Sequence, residues 1–387
     1  MTQRRMPSAG IASSSVYSPF PSLNLIAPQM KQVLIDQERL RHPYCGLAYY
    51  CRALERGLRE LAPSDLQCTY YVPNRTSGSD TIPCYRWHKL LNPTSRGFDL
   101  LHVTHQLGRY FPQRWGVPRV VTLHDLNYLY ENLSEERRAK TQRLVVKNLA
   151  QADAIVCISE FVQRDLEKHR ASLGVKPTAS IHTVHNGVFF PDEARLAGLP
   201  TEGIIPDKPY LLALGVLFDK KQQHLLVEML PHLPEDLHLV LVYSEAKAEY
   251  KAQIEEAIRR TGTAHRIHLY ESVPHDVKDA LLYHCTALVH PSKAEGFGLP
   301  VVEAMALGKP LFLRPMTSLP EIGGDVAYYF DSTAPEDMAR LVLDGLEECR
   351  ANPERIERLR SRAQLFSCRK MAEGYSAVYR EVLSRTR

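Results

Sequence analysis

The fold of this chain is decided by the stretch Glu295-Gly-Phe-Gly-Leu-Pro-Val-Val-Glu303. It follows the apolar run Ala287-Leu-Val289 and leads into an apolar stretch with helical spacing, which predicts a strand, a glycine-rich turn and a helix. Pro300 suits the first position of that helix, and Gly308 suits its C-terminal end. The backbone N–H groups of such a turn lie at the positive end of a helix. The stretch therefore predicts a loop that binds phosphate or sugar oxygens.

Two carboxylates flank this turn at different depths. Glu295 lies before the helix and Glu303 lies one turn inside it. The two side chains could line the same crevice, with one carboxylate at a sugar and the other at a ribose. The alternative is a glycine-rich turn with two surface glutamates. Gly296 and Gly298 also match the start of a dinucleotide-binding fingerprint. Val301 replaces its third glycine, however, and no acidic residue follows at the usual spacing, which argues against a dehydrogenase.

The length and the pattern of the chain predict two domains. With 387 residues it is too long for one hydrophobic core. From residue 31, short apolar runs alternate with helical stretches, which is typical of parallel sheets covered by helices. We expect a loosely ordered leader over 1–30, domains over 31–200 and 205–365, and a final helix over 366–387. The segment from Phe190 to Lys208, rich in Pro, Gly and acidic residues, is the expected linker.

The predicted strands indicate which residues face the cleft between the two domains. They begin in the first half at Val33, Leu100, Val120, Ala154 and Ile181, and in the second at Tyr210, Leu237, Ile267 and Ala287. Ser159 is expected to cap a helix from Glu160 to His169. Since parallel sheets bind ligands beyond the C-terminal ends of their strands, the residues directly after each strand are the site candidates.

The composition limits the cellular compartment and the binding partners that we expect for this protein. A net charge of +4 is too small to indicate nucleic-acid binding. The eight cysteines form no CxxC pair, which argues against a zinc site or a disulfide framework and for a reducing compartment. No run of 18 or more apolar residues predicts a membrane-spanning helix. We therefore expect a cytoplasmic protein with no metal and no nucleic-acid partner.

Several segments occur in an order that resembles retaining glycosyltransferases of family 4. They are a glycine after Tyr44-Cys (Gly46), the strand-ending pair His124-Asp125, the run Gly215-Val-Leu-Phe-Asp-Lys220-Lys221, and the Glu-x7-Glu motif from Glu295 to Glu303. The similarity covers residues 31 to 383. It implies a GT-B fold, in which two Rossmann-like domains with parallel sheets face each other across a deep cleft.

The resemblance also implies the catalytic residues. Glu295 would orient and electrostatically support the donor sugar rather than form a covalent bond to it. His124 would contact the sugar near the reacting carbon, and Lys221, with Lys220, would stabilise charge on the departing diphosphate. Asp125 would orient His124 or bind the acceptor.

The remaining implied contacts are with substrate. Glu303 would bind ribose hydroxyls, the loop Glu271 to His275 would touch the base, and Gly46 would let its loop approach the acceptor or the phosphate closely. The residues expected to bind substrate are Gly46, Asp125, Gly215, Lys220, Gly296, Phe297, Gly298, Leu299, Glu303 and Val273. The sequence departs from the common pattern at Val216 and Lys220, where an arginine is frequent; lysine offers a point charge without a bidentate fork.

The expected activity is transfer of a hexose from a nucleotide diphosphate sugar, with retention and without a cofactor or metal. GDP-mannose is the first expectation and a UDP-hexose the second. The acceptor would be a glycan or a lipid-linked glycan of surface polysaccharide or lipopolysaccharide, with peripheral contact at the inner membrane. A sugar-nucleotide epimerase and a catalytically silent sugar-binding protein stay open; a phosphorylase would need a pyridoxal-binding lysine, for which we find no context. The oligomeric state is left open.

Overall fold

The described part of the chain folds into two α/β domains. The computed structural model describes residues 30–42, 45–73, 78–92, 94, 96–112, 116–199, 203 and 205–385. Most of the expected leader and Tyr44 of the first motif lie outside these residues. In each domain every strand pairing is parallel. The two-domain, parallel-sheet architecture expected from the sequence is therefore confirmed.

In the described part of the chain, the first sheet has seven strands. The strands are β1 (Lys31–Asp36), β2 (Leu66–Val72), β3 (Thr81–Pro83), β4 (Leu100–Val103), β5 (Arg119–Leu123), β6 (Ala154–Cys157) and β7 (Ser180–Thr183). Their order is β3-β2-β1-β4-β5-β6-β7. The helices are α1 (Gly46–Leu61), α2 (Glu135–Leu149) and α3 (Glu160–His169). Strands β4, β5 and β6 are buried along their whole length, which explains their unbroken apolar runs.

The second sheet repeats this plan with six strands. They are β8 (Tyr210–Leu217), β9 (His238–Ala246), β10 (Ile267–Glu271), β11 (Ala287–His290), β12 (Leu311–Leu313) and β13 (Tyr328–Tyr329). The short helix α4 (Glu193–Ala197) precedes this sheet in the chain. The helices that follow β8 are α5 (His224–Met229), α6 (Ala248–Thr261), α7 (His275–His284), α8 (Leu299–Ala306), α9 (Leu319–Gly323), α10 (Pro335–Ala351), α11 (Glu354–Ala363) and α12 (Cys368–Ser384). The order β10-β9-β8-β11-β12-β13 is that of a doubly wound nucleotide-binding sheet.

Both sheets have a switch point, where the strand order changes direction. It lies between β1 and β4 in the first sheet and between β8 and β11 in the second. Ligands of doubly wound sheets bind at this point, beyond the C-terminal ends of the strands. Gly215 lies near the end of β8, and His290 is the last residue of β11. The stretch from Glu295 to Glu303 thus follows the switch point of the second sheet directly.

The sequence-based elements agree with the structure where local signals are strong. Helix α3 begins and ends where expected, and the Ser159 hydroxyl accepts the backbone N–H of Val162 as its cap. Strands β2, β3, β12 and β13 and helices α2, α9 and α10 were not predicted. The final helix expected over 366–387 is α12, which begins at Cys368 and is capped by the Ser367 side chain. The linker contains the helix α4, which its composition did not indicate.

The C-terminal helix α12 returns to pack on α1 of the first domain through a buried hydrogen-bond network. The hydroxyl of Tyr50 donates to that of Tyr375 at 2.7 Å, and both lie within 2.9 Å of the Thr122 hydroxyl. His102 extends the network to Tyr379 at 2.7 Å. All these side chains are buried. The network fixes α12 against the first sheet by directional bonds as well as by apolar contact.

Replacing Tyr375 with phenylalanine should destabilise the fold by about 1–3 kcal/mol, because buried partners would lose a hydrogen bond without gaining water. Urea unfolding followed by circular dichroism measures this change. The matched control is Tyr85→Phe, an exposed tyrosine whose loss of a hydroxyl should change stability by less than about 0.5 kcal/mol. Equal unfolding midpoints for the two variants would show that the network does not hold α12.

Candidate functional site

Glu295 lies in the loop between β11 and α8, and one of its carboxylate oxygens accepts hydrogen bonds from two side chains. Its Oε1 accepts from His290 Nε2 at 2.6 Å and from Lys221 Nζ. Its backbone N–H donates to the Thr317 hydroxyl at 3.0 Å, which fixes the loop. The side chain is only 13% exposed. This carboxylate is therefore enclosed and paired, not the surface glutamate of the alternative reading.

The charge of Glu295 follows from these neighbours. Burial alone would raise its pKa, but the Lys221 ammonium and the His290 imidazole outweigh burial and lower the pKa below its ordinary value. The group is thus ionised throughout the physiological range and cannot act as a general acid. A fixed negative charge in an enclosed site can support positive charge that develops on a neighbouring group.

Gly296 brings this loop into contact with the first domain. A Cβ atom added to it would lie 2.6 Å from the carbonyl oxygen of His124, closer than real Cβ atoms approach. The hydroxyl of Ser159 donates to the Gly296 carbonyl at 2.9 Å. Only glycine permits this approach. The contact places Glu295 and His124, which lie far apart in sequence, at the same domain junction.

His124 is buried and held by the first domain. Its Nε2–H donates to the Thr104 carbonyl at 2.8 Å, and the Tyr50 ring packs edge-on against it at 4.7 Å. Burial lowers its pKa to about 4, so the imidazole is neutral and its Nδ1 is free of a proton. The expectation that Asp125 orients His124 is wrong: Asp125 Oδ1 instead accepts the Asn127 backbone N–H at 3.0 Å. Thr104 orients the imidazole.

The two adjacent lysines point to different partners. The Lys221 stem lies beside Gly215, with Cε 3.7 Å from where a Cβ would stand, and its ammonium reaches Glu295. Lys220 instead forms a 2.9 Å ion pair with Glu131 of the first domain. Lys221 therefore contacts the enclosed Glu295 loop, whereas Lys220 bridges the two domains.

Two neighbouring cavities share residues of the second domain, and the smaller of the two is also lined by residues of the first domain. One, of about 600 Å³, is lined by Gly215 and Val273, as expected, and also by Tyr243, His275 and Lys278. The next, of about 460 Å³, shares His275 and Lys278 and includes Glu303. Lys278 Nζ donates to Glu303 Oε2 at 2.9 Å. Lys278 therefore connects the expected base-binding and ribose-binding positions.

The other residues of the motif divide into backbone and side-chain positions. The Phe297 side chain is 3% exposed and packs against Phe366, so a substrate contact of Phe297 would use its backbone; that contact stays a prediction. Gly298 has φ of 98° and precedes α8. Leu299 lies 3.9 Å from where a Gly46 Cβ would stand, an ordinary contact, so protein packing does not require a glycine at 46.

Three participants were missed from the sequence. His290 ends the strand just before the motif and could have been noticed from that position. Lys278 lies in mid-helix with no local signal. Glu321 of α9 accepts the backbone N–H groups of Glu160 and Phe161 at 2.8 and 3.1 Å and thereby joins the second domain to the start of α3. Such a contact depends on how the domains dock, which a sequence pattern does not show.

Among the described residues, no group of three or more histidine, cysteine or carboxylate side chains is placed to hold a metal ion. Within the same part of the chain, no helix is both long and apolar enough to cross a membrane.

Solved structures define the class of protein. The chain superimposes on Anabaena HepE in complex with UDP-glucose with a TM-score of 0.69 and 16% identity, over 90% of this chain and 99% of that one. It superimposes on WaaG, a glycosyltransferase involved in lipopolysaccharide biosynthesis, with a TM-score of 0.63 and 16% identity, over 90% and 99% of the two chains. The fold is thus GT-B, with two Rossmann-like domains.

Family models identify the chain more closely. Residues 200–365 match the model described as Glycosyl transferases group 1, and residues 49–189 match Glycosyltransferase Family 4. The chain belongs to this family of glycosyltransferases.

Individual relatives are distant. An uncharacterized glycosyltransferase of Methanocaldococcus jannaschii is 23% identical over 74% of this chain and 77% of its own length. The O-antigen chain mannosyltransferase B of Escherichia coli is 23% identical over 67% and 70%. The serotype-specific mannosyltransferase WbdA of Escherichia coli is 23% identical over 50% of this chain, but that match spans only 25% of its length.

Proposed function

We propose that this glycosyltransferase moves a hexose, mannose first, from a nucleotide diphosphate sugar to a glycan or lipid-linked acceptor, with retention of anomeric configuration. The main support for this proposal is the enclosed Glu295 carboxylate, which is paired with Lys221 and His290 where the second domain contacts His124. A fixed anion and a cation side by side suit a reaction in which the sugar becomes positive as a diphosphate departs.

The roles follow from charge and position. The Lys221 ammonium has three N–H donors, so it can hold Glu295 and also donate to the diphosphate. Glu295 then supports the positive sugar carbon. The acceptor oxygen bonds to that carbon on the face from which the diphosphate leaves, the carbon–oxygen bond to the phosphate breaks, and a β-phosphate oxygen takes the acceptor proton. His124, neutral and buried, offers its Nδ1 to a sugar hydroxyl.

We assign the donor base and ribose to the two cavities that share His275 and Lys278. The base would enter the cavity lined by Gly215 and Val273, and the ribose would meet Glu303, whose position Lys278 fixes. Relatives named as mannosyltransferases support mannose, with GDP-mannose as first donor and a UDP-hexose as second. Their names also support a surface-polysaccharide acceptor, reached at the cytoplasmic face of the membrane.

A panel of nucleotides and their sugars tests this function. GDP should raise the melting temperature most, because a ligand that binds only the folded state stabilises it. GDP-mannose should be hydrolysed slowly to free mannose and GDP without added acceptor, at a rate that EDTA does not change, since Lys221 supplies the positive charge. An epimerase would return an altered sugar nucleotide instead. Absence of both binding and hydrolysis across the panel would refute the proposal.

A further inference from the structure

A further cavity lies in the first domain and carries strong positive charge. It measures about 660 Å³. The basic side chains that line it come from the segments after β1 and β4, from the loop before β4 and from α2; they are Arg39, Arg41, Lys89, Arg109, Arg137 and Lys140. Among the described lining residues, the carboxylates that accompany them are Glu38 and Glu136. The cavity is therefore suited to an anion with several negative oxygens.

Three of these six basic residues contact other parts of the fold: Arg39, Arg41, which donates to the Cys84 carbonyl at 3.1 Å, and Lys89, which lies over the Tyr110 ring. Arg39 pairs with Glu38 at 3.0 Å. Within the described part of the chain, Arg109, Arg137 and Lys140 have no carboxylate partner, and all three are exposed to the cavity or its mouth. Several unpaired cations brought together repel one another, which costs stability unless an anion binds between them. The arrangement thus indicates a ligand rather than a structural network.

The position of the cavity connects it to the proposed reaction. It lies at the switch point between β1 and β4, the place where doubly wound sheets bind ligands. Arg39 Nη2 donates to His105 Nδ1 at 3.0 Å, and the His105 ring lies 5.4 Å from that of His124. A group held in this cavity is therefore close to the domain junction, on the acceptor side of it.

We propose that this basic cavity binds a phosphate or diphosphate group carried by the acceptor, an inference that rests on the proposed function. The donor diphosphate is a separate ligand, because Lys221 meets it in the second domain. Arginine forks bind phosphate oxygens in pairs, and Arg109 with Lys140 provides a fork and a point charge for one anion. Acceptor phosphate can come from a lipid-linked glycan or from a water-soluble sugar phosphate.

Apolar residues next to Lys89 in the sequence, here called the apolar rim, are exposed. Beside Lys89, the side chains of Trp87, Leu90 and Leu91 are exposed by 51%, 82% and 47%. Tryptophan and leucine next to basic residues are suited to the boundary between lipid headgroups and acyl chains. This rim favours the lipid-linked source of the phosphate, and vesicles separate it from the soluble source.

Binding of inorganic pyrophosphate to the full-length protein, measured by calorimetry with GDP saturating the donor site, tests the proposal. The double variant Arg109→Gln/Lys140→Gln should bind pyrophosphate at least about tenfold more weakly, since charge-assisted hydrogen bonds are lost. The matched control is Lys168→Gln/Arg350→Gln, which removes the same two charges at exposed positions elsewhere and should bind as wild type does. Equal affinity in both double variants, or no pyrophosphate binding by wild type, would overturn the proposal.

Two further measurements separate the outcomes. Donor hydrolysis should be unchanged in Arg109→Gln/Lys140→Gln; if wild type hydrolyses no donor, the proposed function fails, whereas hydrolysis without pyrophosphate binding defeats this inference alone. Co-sedimentation with phosphatidylcholine vesicles, with and without phosphatidic acid, identifies the source. Binding that needs phosphatidic acid and is lost in Trp87→Ser supports a lipid-borne phosphate, while pyrophosphate binding without vesicle binding supports a soluble one.

Discussion

Replacing Gly296 with valine should reduce sugar transfer by about 10²–10³-fold, because a displacement of about 1 Å at a reacting centre can cost 10²-fold. The Cβ at this position would meet the His124 carbonyl oxygen at 2.6 Å. The Cβ position is fixed by the backbone of the second domain, and the His124 oxygen belongs to the backbone of the first, so neither atom can rotate away. The valine must move the Glu295 loop away from the first domain. Transfer activity and the melting-temperature shift with GDP measure the effect together.

The Gly296→Val variant should keep its nucleotide binding, since the cavity lined by Gly215 and Val273 lies within the second domain. The control is Gly198→Ala, where the added Cβ would have its nearest contact at an ordinary 3.6 Å. A folded Gly296→Val protein with wild-type transfer would show that the domain contact is not part of the active arrangement.

The adjacent lysines provide a second test with a built-in control. Lys221→Met should reduce transfer by about 10²–10³-fold, the usual effect of removing one preorganised charge donor from an enclosed site. Lys220→Met removes the same charge one residue away, where the ammonium pairs with the half-exposed Glu131. Exposed ion pairs contribute about 0–1 kcal/mol, so its loss should change transfer by less than about tenfold.

Steady-state rates with the preferred sugar nucleotide and acceptor compare the two lysine variants. Equal losses would mean that both lysines meet the diphosphate, as the resemblance alone implied, and that the bridge from Lys220 to Glu131 opens during the reaction. A larger loss for Lys220→Met would contradict the assignment of Lys221 to the reacting centre.

Local patterns determined how much of the fold could be predicted. The strand, turn and helix around Glu295 to Glu303 and the Ser159 cap of α3 depend on neighbours in sequence, and the structure confirms them. Strand β12 has only three residues and β13 only two, too short for an apolar period. The doubly wound order needed the sheet pairings, which no single segment contains.

The candidate site was predictable in its members but not in their contacts. The motif indicated Glu295, yet only the fold shows that Lys221 and His290 meet the same carboxylate oxygen. A motif also does not show which way each side chain points: the Phe297 ring, within the motif, is buried against Phe366. The residue that orients His124 is Thr104, whose backbone carbonyl makes the bond, and backbone acceptors have no sequence signature.

The central claim, that the sugar leaves its nucleotide beside Glu295, is tested most directly by the rate of nucleoside diphosphate release from the preferred sugar nucleotide. Wild type and Glu295→Ala are compared at saturating donor, with the GDP-induced shift in melting temperature as a check on the fold. We predict release by wild type and a rate about 10²–10³-fold lower in Glu295→Ala, with nucleotide binding retained. Equal rates of release from the two proteins would contradict the account.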